Sequence, residues 1–252
     1  MRVVALSDLH GNLPVIPPCD LLIVGGDVCP DRIGSFHGMV APEQQARWFD
    51  EHARPWLAAA PARHRVLVWG NHDWCGEHCD FSGDGPATAE TSRLVILNDE
   101  LVRVLVGEAA VPNLQIPQSP NLQISQSPNP PMREVTVWGS PWSSWCGEWA
   151  FMASPAALAG TYAQIPSGTD IIVSHSPAYG YGDEIVVSGG RREHLGSHEL
   201  LSAIERVRPK LVVCGHIHEG HGRYDHDGIP IVNVSVVDER YRMVHATTVI
   251  DL

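Results

Sequence analysis

The stretch "VVCGHIHEGHG", residues 212–222, places three histidines directly after an apolar run. A chance cluster, a surface patch or a metal site could each produce this pattern. The apolar run is short and rich in β-branched residues, which is typical of a buried strand. His216 and His218 therefore follow the end of a predicted strand. What the other strand ends carry decides between the three explanations.

The same pattern recurs along the chain. Short apolar runs end in "SDLH", "GGD", "GNHD" and "SHSP", and their polar residues, with the two histidines above, are Asp8, His10, Asp27, Asn71, His72, His175, His216 and His218. Open α/β sheets collect ligands outside the carboxyl ends of their strands, so we expect these side chains at one edge. Residues two apart in an extended chain point the same way. Asp8 with His10, and His216 with His218, are therefore each expected to address one centre together.

Carboxylates, imidazoles and one amide oxygen form a ligand set that suits Mn²⁺, Fe²⁺, Zn²⁺ or Mg²⁺ and contains no thiolate. Seven candidate ligands exceed the need of one open site and suit two ions that share a carboxylate. Such a pair can clamp the attacking and leaving oxygens of a phosphoryl displacement. A core histidine or a turn explains any one motif, but five in order favour metal. We predict that His216 and His218 are ligands.

Composition limits the class of protein. The chain has 252 residues, of which 44% are hydrophobic and 18% charged, and this suits one soluble globular domain over 1–252. A net charge of −12 argues against a broad grip on nucleic acid. Neither a membrane span nor a signal peptide is evident, and the six cysteines form no disulfide framework. We expect a cytoplasmic protein with free thiols. A zinc clip at Cys75, His78 and Cys79 is a disfavoured alternative because its spacing fits no common zinc finger.

The pattern of elements predicts an α/β protein. Helical composition covers 41–60, and further helices are expected around 155–164 and 197–207. The stretch "RLVILNDELVRVLV" predicts a hairpin that turns at Asn98 and Asp99. Several crossovers are rich in strands, which favours a mixed sandwich with helices on its outer faces over a regular dinucleotide-binding sheet.

One segment differs in composition from the rest. "NLQIPQSP" at 113–120 is followed by "NLQISQSP" at 121–128, an octad repeated with a single change. Proline, glutamine, asparagine and serine cannot build a core. We predict a mobile low-complexity surface loop over 109–131, between two strands, in preference to a binding motif.

As a set, "D-x-H", "GGD", "GNHD", "SH" and "GHxH" resemble the calcineurin-like metallophosphoesterase superfamily, from residue 3 to about residue 237. "GSPWSSWCGEWAF" and "RVRPKLVVCGHIHEGHG" are similar to a narrower branch, the metallophosphoesterase-domain proteins related to class III cyclic-nucleotide phosphodiesterases. The resemblance implies a four-layer α/β/β/α sandwich of two mixed β-sheets flanked by helices. Some members of this branch lose the first histidine of "GHxH". His216 is present here, so a complete two-metal site is expected.

The resemblance also implies roles for the residues of the motifs. The first ion would be bound by Asp8, His10, Asp27 and His218. The second would be bound by Asp27, Asn71, His175 and His216, with Asp27 as the bridge. Mn²⁺ is favoured, with Fe, Zn, Mg or Co as alternatives, and a hydroxide between the ions is the implied nucleophile. In the catalytic motif of Asn71, His72 and Asp73, His72 would face the leaving oxygen as a general acid or hydrogen-bond donor, and Asp73 is expected to orient it.

Other residues have weaker signals. A contact to substrate or a solvated loop explains Arg191, Arg192, His194 and His198, and the loop is favoured. His221 is expected either to line the pocket or to cap a turn. For the tryptophans, core packing is favoured over base stacking; they are Trp138, Trp142, Trp145 and Trp149.

These observations favour a phosphohydrolase that cleaves phosphodiester bonds of small nucleotides, and the resemblance suggests 2′,3′- or 3′,5′-cyclic nucleotides. Low basic content supports small substrates over nucleic acid. A phosphomonoesterase, or a nuclease acting on nucleic-acid ends, is the alternative. A non-catalytic nucleotide-binding scaffold is disfavoured because His72 and His216 are intact. No membrane partner is expected, and the sequence leaves the oligomeric state open.

Overall fold

The computed structural model describes residues 1–33, 41–81, 94–107 and 132–252. The strands are β1 Arg2–Leu6, β2 Cys19–Gly25, β3 Ala62–Val68, β4 Leu94–Leu97, β5 Glu100–Gly107, β6 Met132–Ser140, β7 Ser143–Ser144, β8 Met152–Ala153, β9 Ile171–Ser174, β10 Glu184–Val186, β11 Arg192–His194, β12 Leu211–Cys214, β13 Gly222–His226, β14 Ile229–Asn233 and β15 Thr248–Asp251. The helices are α1 Pro42–Trp48, α2 Arg54–Ala59, α3 Trp74–His78, α4 Pro155–Ala163 and α5 His198–Val207. A π-helical turn, Phe49–Ala53, joins α1 to α2, and a 3₁₀ turn spans His218–Gly220.

Two large mixed sheets organise the fold. One has five strands in the order β15-β1-β2-β3-β4, and all are parallel except β15. The other has six strands in the order β13-β14-β12-β9-β6-β5, with antiparallel strands only at its two edges. The predicted α/β class with two mixed sheets is confirmed.

Three apolar layers separate four layers of structure. Alternate side chains of a strand point to opposite faces of its sheet. In β1, Val3 and Ala5 pack between the two sheets, whereas Val4 and Leu6 pack beneath the helical segment 42–59. A third layer lies between the six-stranded sheet and helices α4 and α5. Strands buried on both faces need continuous apolar runs, which is why the sequence shows them without alternation.

The predicted hairpin at Asn98 and Asp99 is wrong. Strand β4 pairs with β3 in the five-stranded sheet, whereas β5 pairs with β6 in the six-stranded sheet. The two residues carry the chain from one sheet to the other. Asp99 adopts φ +59°, its N–H donates to the carbonyl of Gly139 (2.9 Å), and its carboxylate accepts from the Trp142 indole (2.8 Å). Tertiary contacts, and not the two-residue turn, select the pairing partners.

The predicted helices at 41–60, 155–164 and 197–207 are present within a residue or two. Serine caps start the last two, since the Ser154 and Ser197 hydroxyls accept from backbone N–H groups three residues on. The predicted loop over 109–131, with its repeated octad, lies outside the described residues. Within the described part of the chain, no helix combines the length and apolarity needed to cross a membrane.

Candidate metal centre

Acidic and imidazole side chains converge where strands of both sheets end. Among the described residues, three groups have their ligand atoms within 4.8 Å of one another, and one of them joins His10 to Asp31 and His72. The other two are Asp8 with His10 and His218, and Asp27 with His175 and His216. Each residue of these two groups follows the carboxyl end of β1, β2, β9 or β12. The structure therefore brings together six of the seven predicted ligands in two groups, and the seventh, Asn71, lies beside the second.

Asp27 lies between the two groups. Its Oδ2 is 3.3 Å from Nε2 of His175 and 3.9 Å from Nε2 of His10. Oδ1 of Asn71 is 2.9 Å from the same nitrogen of His175. Ligand atoms held about 2.0–2.2 Å from a cation lie roughly 3–4 Å from each other. The spacing of these atoms is therefore that of a ligand set around ions that share one carboxylate.

The turns after the strands use unusual backbone. Asp8, His10, Asp27 and His216 have φ between +43° and +67°, a left-handed conformation that is uncommon for residues other than glycine. The extended conformation that was expected for the pairs Asp8–His10 and His216–His218 is therefore wrong. Asp8 and His10 still reach one group, but His216 and His218 go to different groups. Hydrogen bonds hold the turns, including His10 N–H to the Asp27 carbonyl (2.8 Å) and His216 N–H to the Asp8 carboxylate (3.0 Å).

Glycines allow the close approach of backbone to ligands. Gly26 adopts φ +102°, and a Cβ there would lie 2.5 Å from Nδ1 of His175. A Cβ on Gly70 would overlap the Asp27 carboxylate. Any larger residue would displace a ligand, which explains glycine at both positions.

Three imidazoles are oriented by oxygen acceptors on their Nδ1 side. The pairs are His10 with the Asp31 carboxylate (2.9 Å), His175 with the Gly25 carbonyl (2.8 Å) and His218 with the Asp238 carbonyl (3.1 Å). This arrangement leaves Nε2 of each ring for a metal, as is usual for metal-binding histidines. Nε2 of His10 is buried and has no hydrogen-bond partner among the described residues. An orphaned ring nitrogen beside carboxylates fits a divalent cation.

Electrostatics match this interpretation. Burial would raise the pKa of Asp8, but the hydrogen bond and charge of His218 hold it at about 2. Burial likewise opposes the ionisation of Asp27, yet His175 keeps its pKa well below the usual value. Burial lowers the pKa of His216 to about 3, so this imidazole is neutral at pH 7 with a lone pair to donate. In His175, burial lowers the pKa, but Asp27 outweighs it and raises the pKa to about 9, so a cation bound at this ring would have to displace its proton.

His72 is oriented by Asp31, a residue that the motif analysis missed. Nδ1 of His72 donates to Oδ1 of Asp31 (2.7 Å), and the backbone N–H of His72 donates to Oδ1 of Asp27 (2.7 Å). Because Asp31 also accepts from His10, one carboxylate oxygen orients a candidate ligand and the candidate acid. The only sequence signal is a second aspartate four residues after Asp27 in "GGDVCPD".

The prediction that Asp73 orients His72 is wrong. The Asp73 carboxylate is fully buried and accepts from three backbone N–H groups at 2.8–3.1 Å, those of Val28, Cys29 and Gly70. Its side chain therefore points away from the neighbouring imidazole and braces the turns after β2 and β3. Burial raises the pKa of Asp73 to about 6.

The predicted substrate contacts lie away from the centre. Ion pairs join Arg191 to Glu193 and Arg192 to Glu184, Nδ1 of His194 donates to Asp183 (2.8 Å), and His198 stacks on Tyr179. His221 donates to the Ser235 carbonyl (2.8 Å) and stacks on His245. None of these predicted residues lines the two described cavities over the candidate ligands. Their placement gives no support to a substrate role, which stays a prediction: Arg191, Arg192 and His194 are paired on the β10–β11 hairpin, and His198 stacks on Tyr179 at the start of α5.

The tryptophans divide into two pairs. Trp138 is buried and Trp142 packs against the core, as predicted, but Trp145 and Trp149 are 66% and 41% exposed. Trp149 lines both cavities over the candidate ligands. Core packing is therefore wrong for the second pair.

The candidate ligand groups in the described residues contain no cysteine, which speaks against the zinc clip, and all six cysteines are free.

An Asp- and His-lined cleft at the strand ends of a two-sheet sandwich defines a metal-dependent hydrolase. A family model described as Calcineurin-like phosphoesterase matches residues 1–220. The chain belongs to this family, and its activity is that of a metal-dependent phosphoesterase. The resemblance identified in the sequence is confirmed.

Similar proteins extend this result. The chain is 30% identical over 257 residues to metallophosphoesterase domain-containing protein 1 of Homo sapiens, with 100% of this chain and 71% of that protein covered. The protein of the same name in Mus musculus gives the same values. Among solved structures, the phosphopantetheinyl hydrolase from Mycobacterium tuberculosis is similar with 17% identity and a TM-score of 0.49, over 95% of this chain and 90% of that one.

Proposed function

We propose that the protein is a dinuclear phosphodiesterase that hydrolyses small nucleotide diesters, cyclic nucleotides among them, with Mn²⁺ as its favoured ion. The observation that carries the proposal is Oδ2 of Asp27, which lies between Nε2 of His10 and Nε2 of His175. One ion would be held by Asp8, His10, Asp27 and His218, and the other by Asp27, Asn71, His175 and His216. When bound, two such ions polarise the phosphoryl group and lower the pKa of an attacking water.

His72 supplies the proton for the leaving group in this proposal. Its Nδ1 is committed to Asp31, so Nε2 remains for the ester oxygen. Burial lowers the pKa of His72, but the charges of Asp27 and Asp31 and the hydrogen bond to Asp31 outweigh burial and raise it. A protonated imidazole at the border of the cleft suits a general acid for a leaving alkoxide.

Charge favours a small substrate. The described lining of the two cavities carries two arginines, Arg32 and Arg240, and also two glutamates, Glu219 and Glu239. A long polynucleotide needs many cations along its track, which this cleft and a net charge of −12 do not offer.

Six free cysteines support a reducing compartment, so we assign the reaction to the cytoplasm.

A metal-by-substrate screen tests the proposal. Protein loaded with Mn²⁺, Zn²⁺, Fe²⁺ or Mg²⁺ is assayed on bis-p-nitrophenyl phosphate, p-nitrophenyl phosphate, 2′,3′- and 3′,5′-cyclic nucleotides and single-stranded DNA. We expect the diester to exceed the monoester, cyclic nucleotides to be turned over, and Mn²⁺ to give the highest rate. His198→Ala, outside the cleft, is the control for His72→Ala.

Three results would contradict the proposal. Preference for the monoester would favour a phosphomonoesterase. Degradation of single-stranded DNA without turnover of cyclic nucleotides would favour a nuclease. If no ester is hydrolysed with any ion, and Asp27→Ala and His72→Ala leave cellular function unchanged, a nucleotide-binding scaffold would replace the enzyme.

A further inference from the structure

We infer that Trp149 and Tyr241 form the walls of a recess that binds a planar aromatic group of the substrate, with a nucleobase as the natural example. The inference rests on the proposed function and names the part of the substrate that the ions do not touch. Two cavities meet at His72, Trp149 and Tyr241, which line both. The smaller cavity, of about 290 Å³, covers candidate ligands including Asp27 and His216.

The larger cavity is the recess. It has a volume of about 560 Å³, within the range of about 300–1,000 Å³ that is usual for small-molecule sites. Besides the three shared residues, its lining includes Pro30, Trp74, Arg32 and Arg240. A phosphoryl group over the ions would point one ester group past His72 into this space. The ester group, and not the phosphate, therefore meets the aromatic walls.

Trp149 is held against the centre from two sides. Its indole stacks on the imidazole of His72, with ring centroids 4.4 Å apart and planes 30° apart. The next residue, Ala150, donates its N–H to the carbonyl of Asn71 (3.1 Å), which ties the segment to a loop that carries a candidate ligand. A Cβ on Gly147 would lie 3.3 Å from the indole, a tight contact that glycine avoids.

Tyr241 lines the same two cavities and lies against three imidazoles of the candidate centre. Its ring centroid lies 4.6 Å from that of His10, 5.2 Å from that of His218 and 6.0 Å from that of His72, each with edge-on geometry. The ring remains 44% exposed. It therefore borders the metal centre without being buried by it.

A closed turn fixes Tyr241 in this place. The carboxylate of Asp238 accepts from the backbone N–H groups of Arg240 (2.9 Å) and Arg242 (3.0 Å), and the Tyr241 N–H donates to the Asp238 carbonyl (2.9 Å). The same carbonyl accepts from Nδ1 of His218. Tyr241 adopts φ +60°, a conformation that this network must maintain. The wall of the recess is therefore built together with the metal centre.

Exposed aromatic walls beside a reactive centre indicate the chemistry of the ligand. When a ligand covers large apolar side chains that are exposed to water beside a cleft, the burial of their surface stabilises the complex. Aromatic side chains bind other π-systems well, and stacked bases contribute about 1–3 kcal/mol each. Arg32 and Arg240 bring positive charge to the same cavity, which the Asp31 carboxylate offsets in part. These features favour a planar aromatic group over an aliphatic one.

Competition between two matched ligands tests the inference. Adenosine 5′-monophosphate and ribose 5-phosphate share the phosphorylated ribose and differ at the anomeric carbon, which carries the base in the first and a hydroxyl in the second. Their inhibition constants are measured on the Mn²⁺-loaded enzyme against bis-p-nitrophenyl phosphate. We expect the nucleotide to bind about 5- to 160-fold more tightly, the range that corresponds to one stacked base. Trp149→Ala and Tyr241→Ala should each lower this ratio and leave ribose 5-phosphate unchanged, whereas Trp149→Phe should keep most of it.

Controls separate the recess from the catalytic centre. Trp145→Ala, which removes an exposed tryptophan outside both cavities, should leave the ratio unchanged. Equal inhibition constants in the wild type would overturn the inference while diester hydrolysis still supported the proposed function. A Trp149→Ala variant that weakens both ligands equally would reduce Trp149 to a support for His72 and also overturn it. Absence of hydrolysis and of inhibition by either ligand would instead overturn the proposed function.

Discussion

Two histidine-rich regions of this molecule, the candidate metal centre and the surface around β10, β11 and α5, differ in what their ring nitrogens contact. At the candidate metal centre, Nε2 of His10 is buried, has no hydrogen-bond partner among the described residues and faces the carboxylate of Asp27. On the β10–β11 hairpin and the start of α5, His194 is paired with Asp183 and His198 is stacked on Tyr179. Residue type is the same in both regions. The regions differ in what surrounds the histidines: the unpartnered Nε2 of His10 lies beside a buried carboxylate, whereas Nδ1 of His194 is paired with Asp183.

The two buried aspartates of these regions repeat the contrast. Oδ2 of Asp183 accepts from the backbone N–H groups of Gly180 and Gly196, both at 2.9 Å, while its other oxygen accepts from His194. Oδ2 of Asp27 faces imidazole nitrogens at 3.3 and 3.9 Å. The Asp183 carboxylate is therefore satisfied within its own loop, whereas Oδ2 of Asp27 faces two ring nitrogens at distances that leave room for a cation.

The largest expected effect comes from Asp27. Asp27→Ala removes the carboxylate that is assigned to both ions in the proposed ligand sets, so we expect kcat/KM for bis-p-nitrophenyl phosphate to fall at least about 10³-fold, because neither ion is then held in place for the displacement. Metal content by elemental analysis should fall with it, and circular dichroism should show an intact fold. Retention of more than a tenth of the activity would remove Asp27 from its assigned position between the ions.

His72→Ala should follow in size. Loss of a general acid costs about 10²- to 10⁴-fold, and we expect the loss in kcat because the proton is needed only in the transition state. The variant should bind as much Mn²⁺ as the wild type, which distinguishes it from Asp27→Ala. An unchanged kcat with a raised KM would show that His72 binds substrate and does not protonate it.

Asp31→Asn should have an intermediate effect. Groups that orient metal ligands typically contribute about 10- to 100-fold, and Asp31 accepts from both His10 and His72. We expect activity to fall in that range, with weaker Mn²⁺ binding in a titration. A less than twofold change would mean that neither imidazole depends on this carboxylate.

Asp183→Ala should affect the fold and not the chemistry. It removes a buried carboxylate that accepts from the Gly180 and Gly196 N–H groups and from the His194 ring, so the free energy of unfolding should fall by about 1–3 kcal/mol. Folded protein at low temperature should keep the kcat of the wild type. A loss of kcat in the folded fraction would extend the catalytic centre to the hairpin and break the contrast drawn above.

The smallest effect is expected for Arg191→Ala. This side chain is exposed and pairs with Glu193 on the hairpin surface, and such pairs contribute about 0–1 kcal/mol. Stability in a urea titration and kcat/KM should both stay close to the wild-type values. A tenfold rise in KM would restore the substrate contact that the sequence suggested.

The strand ends could be read from the sequence because their information is local. A buried strand needs a continuous apolar run, and the first polar residue after it marks where the chain leaves the sheet. This logic located Asp8, Asp27, Asn71 and His175 without knowledge of the pairing. The four-layer arrangement required the family resemblance in addition.

The errors concern choices that depend on distant parts of the chain. The chain at Asn98 and Asp99 crosses between sheets because Asp99 bonds to Gly139, about forty residues away. Asp73 follows His72 directly, yet its carboxylate accepts from backbone N–H groups after β2. Asp31 is the residue that accepts from Nδ1 of His72. Left-handed turns at the ligands, and the turn that presents Tyr241, have no signature in a single sequence.

The number of ions per chain tests the account most directly. Wild-type protein reconstituted with Mn²⁺ and freed of excess ion should contain two ions per chain by elemental analysis. Anomalous scattering from a crystal should place both ions about 3.5–4 Å from each other. Each ion should lie within about 2.5 Å of a carboxylate oxygen of Asp27, which is a metal–oxygen bond length plus a small margin. One ion per chain, or two ions of which neither contacts Asp27, would contradict the account.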